Sequence, residues 1–297
     1  MPRSRCIILL SEKSSGSSAF QRLLARHADI RHLAKTRHVH FETLYWTKAA
    51  SILELPQVDM VDSEVPMPRE RAKADLDSLL RDNLEAYSPS SDDREMIFDG
   101  WRRLCESHAP VFLEKSPHHL CQWSALELII ESMSRLPTID TMLVGLIRNP
   151  MDTLYSQFRR WKARPEEREL RWQIAYRNLQ RLAQSVGDKL VTLRYEDVVA
   201  DVNQLKPIYD FCGVKVDATP APLHDQSLQK WKRDAAFGFQ LSSTSIELAR
   251  DWGYDESELF NQGSRFWPII REVSRFKYRL GWRVKSIVKR IRGTSQL

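Results

Sequence analysis

The first residues able to do chemistry are Ser11-Glu12-Lys13-Ser14-Ser15-Gly16-Ser17-Ser18, which follow the apolar residues 7–10 and lead into the amphipathic residues 19–24. An apolar run, a loop of small residues and an amphipathic segment read as strand, anion-binding loop and helix. The backbone N–H groups of such a loop, with the open N-terminus of the helix behind it, form a concave site for phosphate or sulfate. The length matches the nucleotide-binding pattern G-x-x-x-x-G-K-[ST], with Gly16 and Ser18 in place. Ser17 stands where the lysine belongs, and the lysine has moved forward to Lys13.

Basic residues follow three later apolar runs as well. Residues 111–113 run into Glu114-Lys115-Ser116-Pro117, residues 141–147 end at Arg148-Asn149-Pro150, and residues 189–193 end at Arg194-Tyr195-Glu196-Asp197. One cation after one strand means little. A cation after each of four strands would surround a multiply anionic ligand, provided that the strands are parallel neighbours and their carboxyl ends share an edge.

The elements between them meet that condition. Strands alternating with helices predict a parallel sheet covered on both faces, and the strongly apolar residues 141–147 suit a central strand. Pro150 fits a first helical turn, with Asp152 adding favourable negative charge. A short second strand is expected at residues 37–41, followed by a helix at 42–53. A loop at 56–68 precedes amphipathic helices at 69–87 and 92–108, the latter capped from Ser90-Ser91-Asp92. Further helices are expected at 122–135, 151–162, 168–186 and 202–212, then a Pro-containing connector at 213–222. His118 and His119 do not form a metal pair, because adjacent side chains do not converge and no third ligand is spaced for them.

In this order the motifs resemble those of sulfotransferases that use 3′-phosphoadenosine 5′-phosphosulfate (PAPS), particularly the carbohydrate and bacterial members. The resemblance implies a three-layer, P-loop-like α/β fold with a central, mainly parallel sheet over residues 1–264, carrying a helical insertion at about 56–108. The family's K/R-S-G-[ST]-[ST] loop is similar to Ser15-Gly16-Ser17-Ser18, with the basic residue displaced to Lys13 ahead of Ser14. It implies that Lys13 and Ser14, Ser15, Gly16, Ser17 and Ser18 hold the donor's phosphosulfate. R-[ND]-P-x-[DE]-x-x-x-S, which holds the 3′-phosphate, is matched from Arg148 to Ser156. A forked guanidinium and a hydroxyl suit phosphate oxygens.

Glu114-Lys115-Ser116-Pro117 resembles E-K-[ST]-P, which implies that Lys115 lies near the transferred group, with Lys13 also acting on it. Tyr195 of R-Y-E-D is implied to lie near the adenine, and Lys232 in the basic, Trp-containing residues 228–233 to close over the donor. The family's base falls just past the second strand, which implies Glu42, with His40 as the alternative. No metal is expected, and the implied acceptor is a glycan, a glycolipid or a small hydroxyl or amine compound.

Composition agrees with an ordinary globular chain: 42% apolar and 28% charged residues, at a net charge of +6. That charge belongs to the tail, since residues 265–297 hold ten Lys/Arg and one Asp/Glu while residues 1–264 sum to −3. Broad nucleic-acid contact is therefore not expected. Four scattered cysteines read as buried free thiols. No signal peptide or membrane-spanning segment is expected, and a cytoplasmic location follows. In the tail, apolar residues at spacings of three and four alternate with cations. Such a helix suits an anionic membrane surface, or docking on its own domain or a second subunit. Two other functions stay open at this level: a nucleotide-type phosphotransferase, and a membrane-surface or nucleic-acid binding protein.

Overall fold

A computed structural model describes residues 4–60, 63–215, 223 and 225–293, with side chains only as far as residue 280. The elements are β1 (Ser4–Ser11), α1 (Ser17–Leu24), β2 (Ile30–Arg31), α2 (Tyr45–Ile52), α3 (Arg69–Asn83), α4 (Asp93–Ser107), β3 (Val111–Lys115), α5 (Trp123–Arg135), β4 (Ile139–Ile147), α6 (Pro150–Trp161), α7 (Pro165–Val186), β5 (Leu190–Arg194), α8 (Tyr195–Ala200), α9 (Lys206–Cys212), α10 (Ser243–Asp251) and α11 (Trp267–Gly293). The expected connector at 213–222 falls mostly outside the described residues, as do positions 61–62 of the loop at 56–68. Two compact units divide the chain, one of residues 1–148 with 172–225 and one of residues 149–171 with 226–297.

The first unit holds the sheet. Its five strands are parallel, in the order β2-β3-β1-β4-β5, flanked by helices in the P-loop-like manner. β1 is central, and residues 6–11 are buried on both faces, as the apolar run requires. α7 buries Trp172, Ala175, Tyr176, Leu179 and Leu182, a helical period, within this unit. Opposite it, Gly145 of β4 leaves room: a Cβ there would lie 2.8 Å from Leu179 Cδ1. The insertion is tied to the sheet through aromatic rings. Trp101 of α4 packs on Trp46 of α2 at 4.8 Å and on Phe112 of β3 at 5.5 Å. Asp92 caps α4 by accepting from the Glu95 amide at 2.8 Å, and the four cysteines are buried and in no disulfide.

One expected strand is not formed. Residues 37–41 alternate as a strand would, but β2 is the two-residue Ile30–Arg31, paired only with β3. Residues 39–41 form a tight turn instead, with His40 and Phe41 at left-handed φ of 64° and 58°. The reason is where the polar groups go. Arg37 pairs with Asp75 of α3, and His38 Nε2 lies 3.0 Å from Glu64, so the segment is anchored to the insertion and not to a neighbouring strand. The helix expected from residue 42 starts later, at Tyr45. Glu42 therefore lies neither just past the second strand nor in a helical first turn.

The close fit at Gly145 gives a test. Gly145→Ala is expected to lower the unfolding free energy by about 1–3 kcal/mol in urea denaturation. The same change in a Leu179→Ala background should cost clearly less, because the atoms it meets are gone.

Candidate active site

Sheet register decides which side chains meet. Lys115 is level with Leu9 of β1, Ser11 with Leu146 of β4, and Ile147 with Arg194 of β5. Lys115, the loop after Ser11, Arg148 and Arg194 thus emerge along one carboxyl edge.

The loop is shaped by two left-handed residues, Ser14 at φ 68° and Gly16 at φ 88°. Gly16 is the N-cap of α1 and brings no side-chain cap, so the Ser17 and Ser18 amides have no acceptor inside the helix. Gly16 is also required by contact, since a Cβ there would stand 2.4 Å from Tyr195 Cε2. The same ring lies under the Arg148 guanidinium, 4.8 Å from its centroid, and Arg148 Nη1 donates to the Ser14 carbonyl at 3.2 Å. Beneath the loop, Tyr176 donates to the Leu146 carbonyl at 3.2 Å and so accepts from Ser15 Oγ at 3.2 Å. Burial pushes the Tyr176 phenol well up, which keeps that proton in place.

At the end of β3, the fully buried Lys115 donates to Glu42 Oε1 at 2.9 Å and to Ser18 Oγ at 3.3 Å. One ammonium therefore joins the start of α1 to the one carboxylate expected to act as base. His118 Nδ1 stands 3.9 Å from the other Glu42 oxygen.

Glu42 is held by the residues after it. Leu44 adopts a left-handed φ of 53°, a strained backbone for a branched side chain, and hydrogen bonds hold it there. Ser116 Oγ accepts from the Thr43 and Leu44 amides at 3.1 and 3.0 Å and donates to Glu114 Oε1 at 2.6 Å. Thr43 Oγ1 also donates to Glu114 Oε1, at 2.7 Å, and His119 Nε2 lies 3.3 Å from that oxygen. Burial acts to raise the Glu114 carboxyl, but His119 and the two hydroxyls outweigh it and leave the group below its ordinary range. Lys48 completes the clamp, donating to the Thr43 carbonyl at 2.9 Å, with burial lowering it to about 8.

The structure brings Lys115, Glu42, Ser18, Gly16, Ser14, Arg148 and Tyr195 into one connected set. Lys13 lies in the loop, half-buried. His40 is exposed on its left-handed turn. Arg194 pairs with Asp197 of α8 at 3.4 Å. Ser156 and Lys232 belong to the second unit. Ser156 is half-buried on α6, a helix that opens with Asn149 accepting from the Met151 amide at 2.9 Å. Lys232 is exposed, 5.2 Å from the Trp231 ring centroid and 3.3 Å from the Ser257 carbonyl. Asp152 accepts from the Gln229 amide at 2.8 Å, a structural use of a motif residue.

A family model described as the sulfotransferase family matches residues 7–218. The chain belongs to the sulfotransferase family. Two solved structures resemble this sulfotransferase. The sulfotransferase domain from the curacin biosynthetic pathway matches with a TM-score of 0.56 at 16% identity, over 86% of this chain and 99% of its own. The sulfotransferase domain from the Synechococcus PCC 7002 olefin synthase matches with a TM-score of 0.57 at 20% identity, over 85% and 96%. These likenesses support the fold. Among curated proteins no sequence match is found. The phosphotransferase alternative is thereby set aside.

Sequence reasoning missed Tyr176, Ser116, Lys48 and His118. Tyr176 had a signal, since it sits on the buried stripe of α7, where a hydroxyl must find partners. Lys48 had one too, as a lone cation among apolar residues. Ser116 stood inside the E-K-S-P motif, but its hydrogen bonds run to residues 43 and 44, far off in the chain.

Lys48 gives a pH test. Its pKa is lower folded, about 8, than the ordinary 10.5, so the unfolded chain binds more protons between those values and stability rises with pH there. Wild type minus Lys48→Met should gain about 3 kcal/mol of unfolding free energy from pH 7.5 to 10.5. A flat difference would show that Lys48 is not buried as described.

Proposed function

We propose that this sulfotransferase moves a sulfuryl group from PAPS to a hydroxyl or amine acceptor on a carbohydrate or glycoconjugate. The observation that carries the reading is Lys115, held between the Glu42 carboxylate and the Ser18 hydroxyl at the open N-terminus of α1. The residues present fit such a donor. Uncapped amides and Lys115 suit the phosphosulfate, the Arg148 guanidinium suits a second phosphate, and Tyr195, stacked beneath that guanidinium, is proposed to lie near the adenine.

PAPS supplies a sulfuryl group on a phosphate leaving group. Sulfuryl transfer parallels phosphoryl transfer, in which the protein positions an in-line attack and offsets charge on the leaving oxygens. Glu42 takes the proton of the acceptor as its oxygen or nitrogen bonds to sulfur. The bond from sulfur to the bridging oxygen breaks, and its electron pair stays on the 5′-phosphate. Lys115, already at Ser18, donates to that oxygen, and Lys13 and the loop amides share the remaining charge. Ser156 and Lys232 are proposed to act on the donor's 3′-phosphate and on closure over it.

Phe41, beside Glu42, is exposed with its ring 4.5 Å from His32, so an acceptor panel should include lipid-like alcohols as well as sugars. Donor binding is the first test. By titration calorimetry, 3′-phosphoadenosine 5′-phosphate should bind, and Arg148→Ala should weaken it on the order of 10- to 100-fold. The variant should bind adenosine 5′-phosphate, which has no 3′-phosphate, about as the parent does. Equal binding of the bisphosphate by both proteins would overturn the assignment of Arg148.

A further inference from the structure

The tail helix α11 is held to its own unit through its first turns, and residues 276–280 are exposed all round. Trp267 is buried, its ring 4.8 Å from those of Phe158 and Phe237. Arg271 pairs with Glu166, and Arg164 lies 3.4 Å from Glu272. These contacts leave another side open. Phe266, Ile269, Val273, Phe276 and Leu280 are 47–68% exposed, and at 100° per residue they fall within an arc of about 80°. Five large apolar side chains exposed on one stripe mark an interaction surface.

What covers the stripe is indicated by its borders. Lys277 lies about 60° to one side of its centre, and the position of Arg283 about 60° to the other. The sequence continues the stripe through Val284, Ile287 and Ile291, and residues 265–297 carry ten cations and one acid. A second copy of this helix would bring like charges together along both borders. A nucleic acid would meet the cations but offer the five apolar side chains nothing. An anionic bilayer complements both, with acyl chains for the stripe and headgroups for its borders.

We propose that α11 lies in the surface of an anionic membrane, apolar stripe inward, and holds the enzyme there without spanning it. Among the described residues no helix is long and apolar enough to cross a membrane. The proposal does not depend on the identity of donor or acceptor.

The test is flotation of the full chain with phosphatidylcholine vesicles, with and without phosphatidylserine. Phosphatidylserine should raise the bound fraction on the order of tenfold, and added salt should reverse the gain. The double variant Ile269→Glu/Phe276→Glu changes exposed positions only, and should lose on the order of tenfold or more with circular dichroism unchanged. Failure of the parent chain to float overturns the proposal, as does equal flotation by the variant. A parent dimer that the variant dissociates would assign the stripe to a second copy, and RNA or DNA retention unaffected by the variant would assign the tail to nucleic acid.

Discussion

A buried ammonium is the constraint that organises this site. Lys115 has no access to solvent, and a charge removed from water persists only with compensation. Glu42 supplies it at 2.9 Å. Everything that presents Glu42 therefore bears on Lys115: the Ser116 clamp, the left-handed Leu44, the carbonyl held by Lys48, and the anchoring of residues 37–38 to the insertion. The sheet does the other half, because pairing β3 beside β1 sets Lys115 next to the first turn of α1. A chemical group and the fold's centre are thus the same contact.

Two adjacent acids show how the environment divides labour. Glu114, fully buried and bonded to two hydroxyls, serves structure: it fixes Ser116, and through Ser116 the backbone after Glu42. Glu42 is partly accessible and has only Lys115 at close hydrogen-bonding distance among the contacts described above, which leaves its second oxygen toward His118. At the N-cap of α1, Arg148 and Tyr195 form a second cluster of cation and aromatic ring around Gly16. The absent loop lysine belongs to this picture. The cations come from strand ends, and the loop itself contributes amides.

Much of the fold was legible because its signals are local. Buried parallel strands read as apolar runs, which marks residues 7–10, 111–113 and 141–147, and the edge strand β5 shows as a shorter apolar run at 189–193; a cation follows each. The second strand was misread for a local reason as well: residues 37–41 alternate, but their partners lie at residues 64 and 75. The helix start at residue 42 failed similarly, because a left-handed Leu44 held by distant Ser116 has no signature in its own neighbourhood. Glu42 was implied by the resemblance from a place just past the strand expected at residues 37–41, and although that strand does not form, its carboxylate meets Lys115. The tail's amphipathicity was readable, but which side it turns to its own unit required Trp267 and the Arg271–Glu166 pair.

The central claim is that Lys115 is shared between the base and the leaving phosphate. The most direct measurement is a crystal structure with 3′-phosphoadenosine 5′-phosphate, read for the distance from Lys115 Nζ to the nearest 5′-phosphate oxygen. The account predicts a charge-assisted hydrogen bond of about 2.7–2.9 Å, with the Ser17 and Ser18 amides on the same phosphate. A 5′-phosphate bound elsewhere, or bound at the loop with Lys115 still contacting only Glu42 and Ser18, would contradict it.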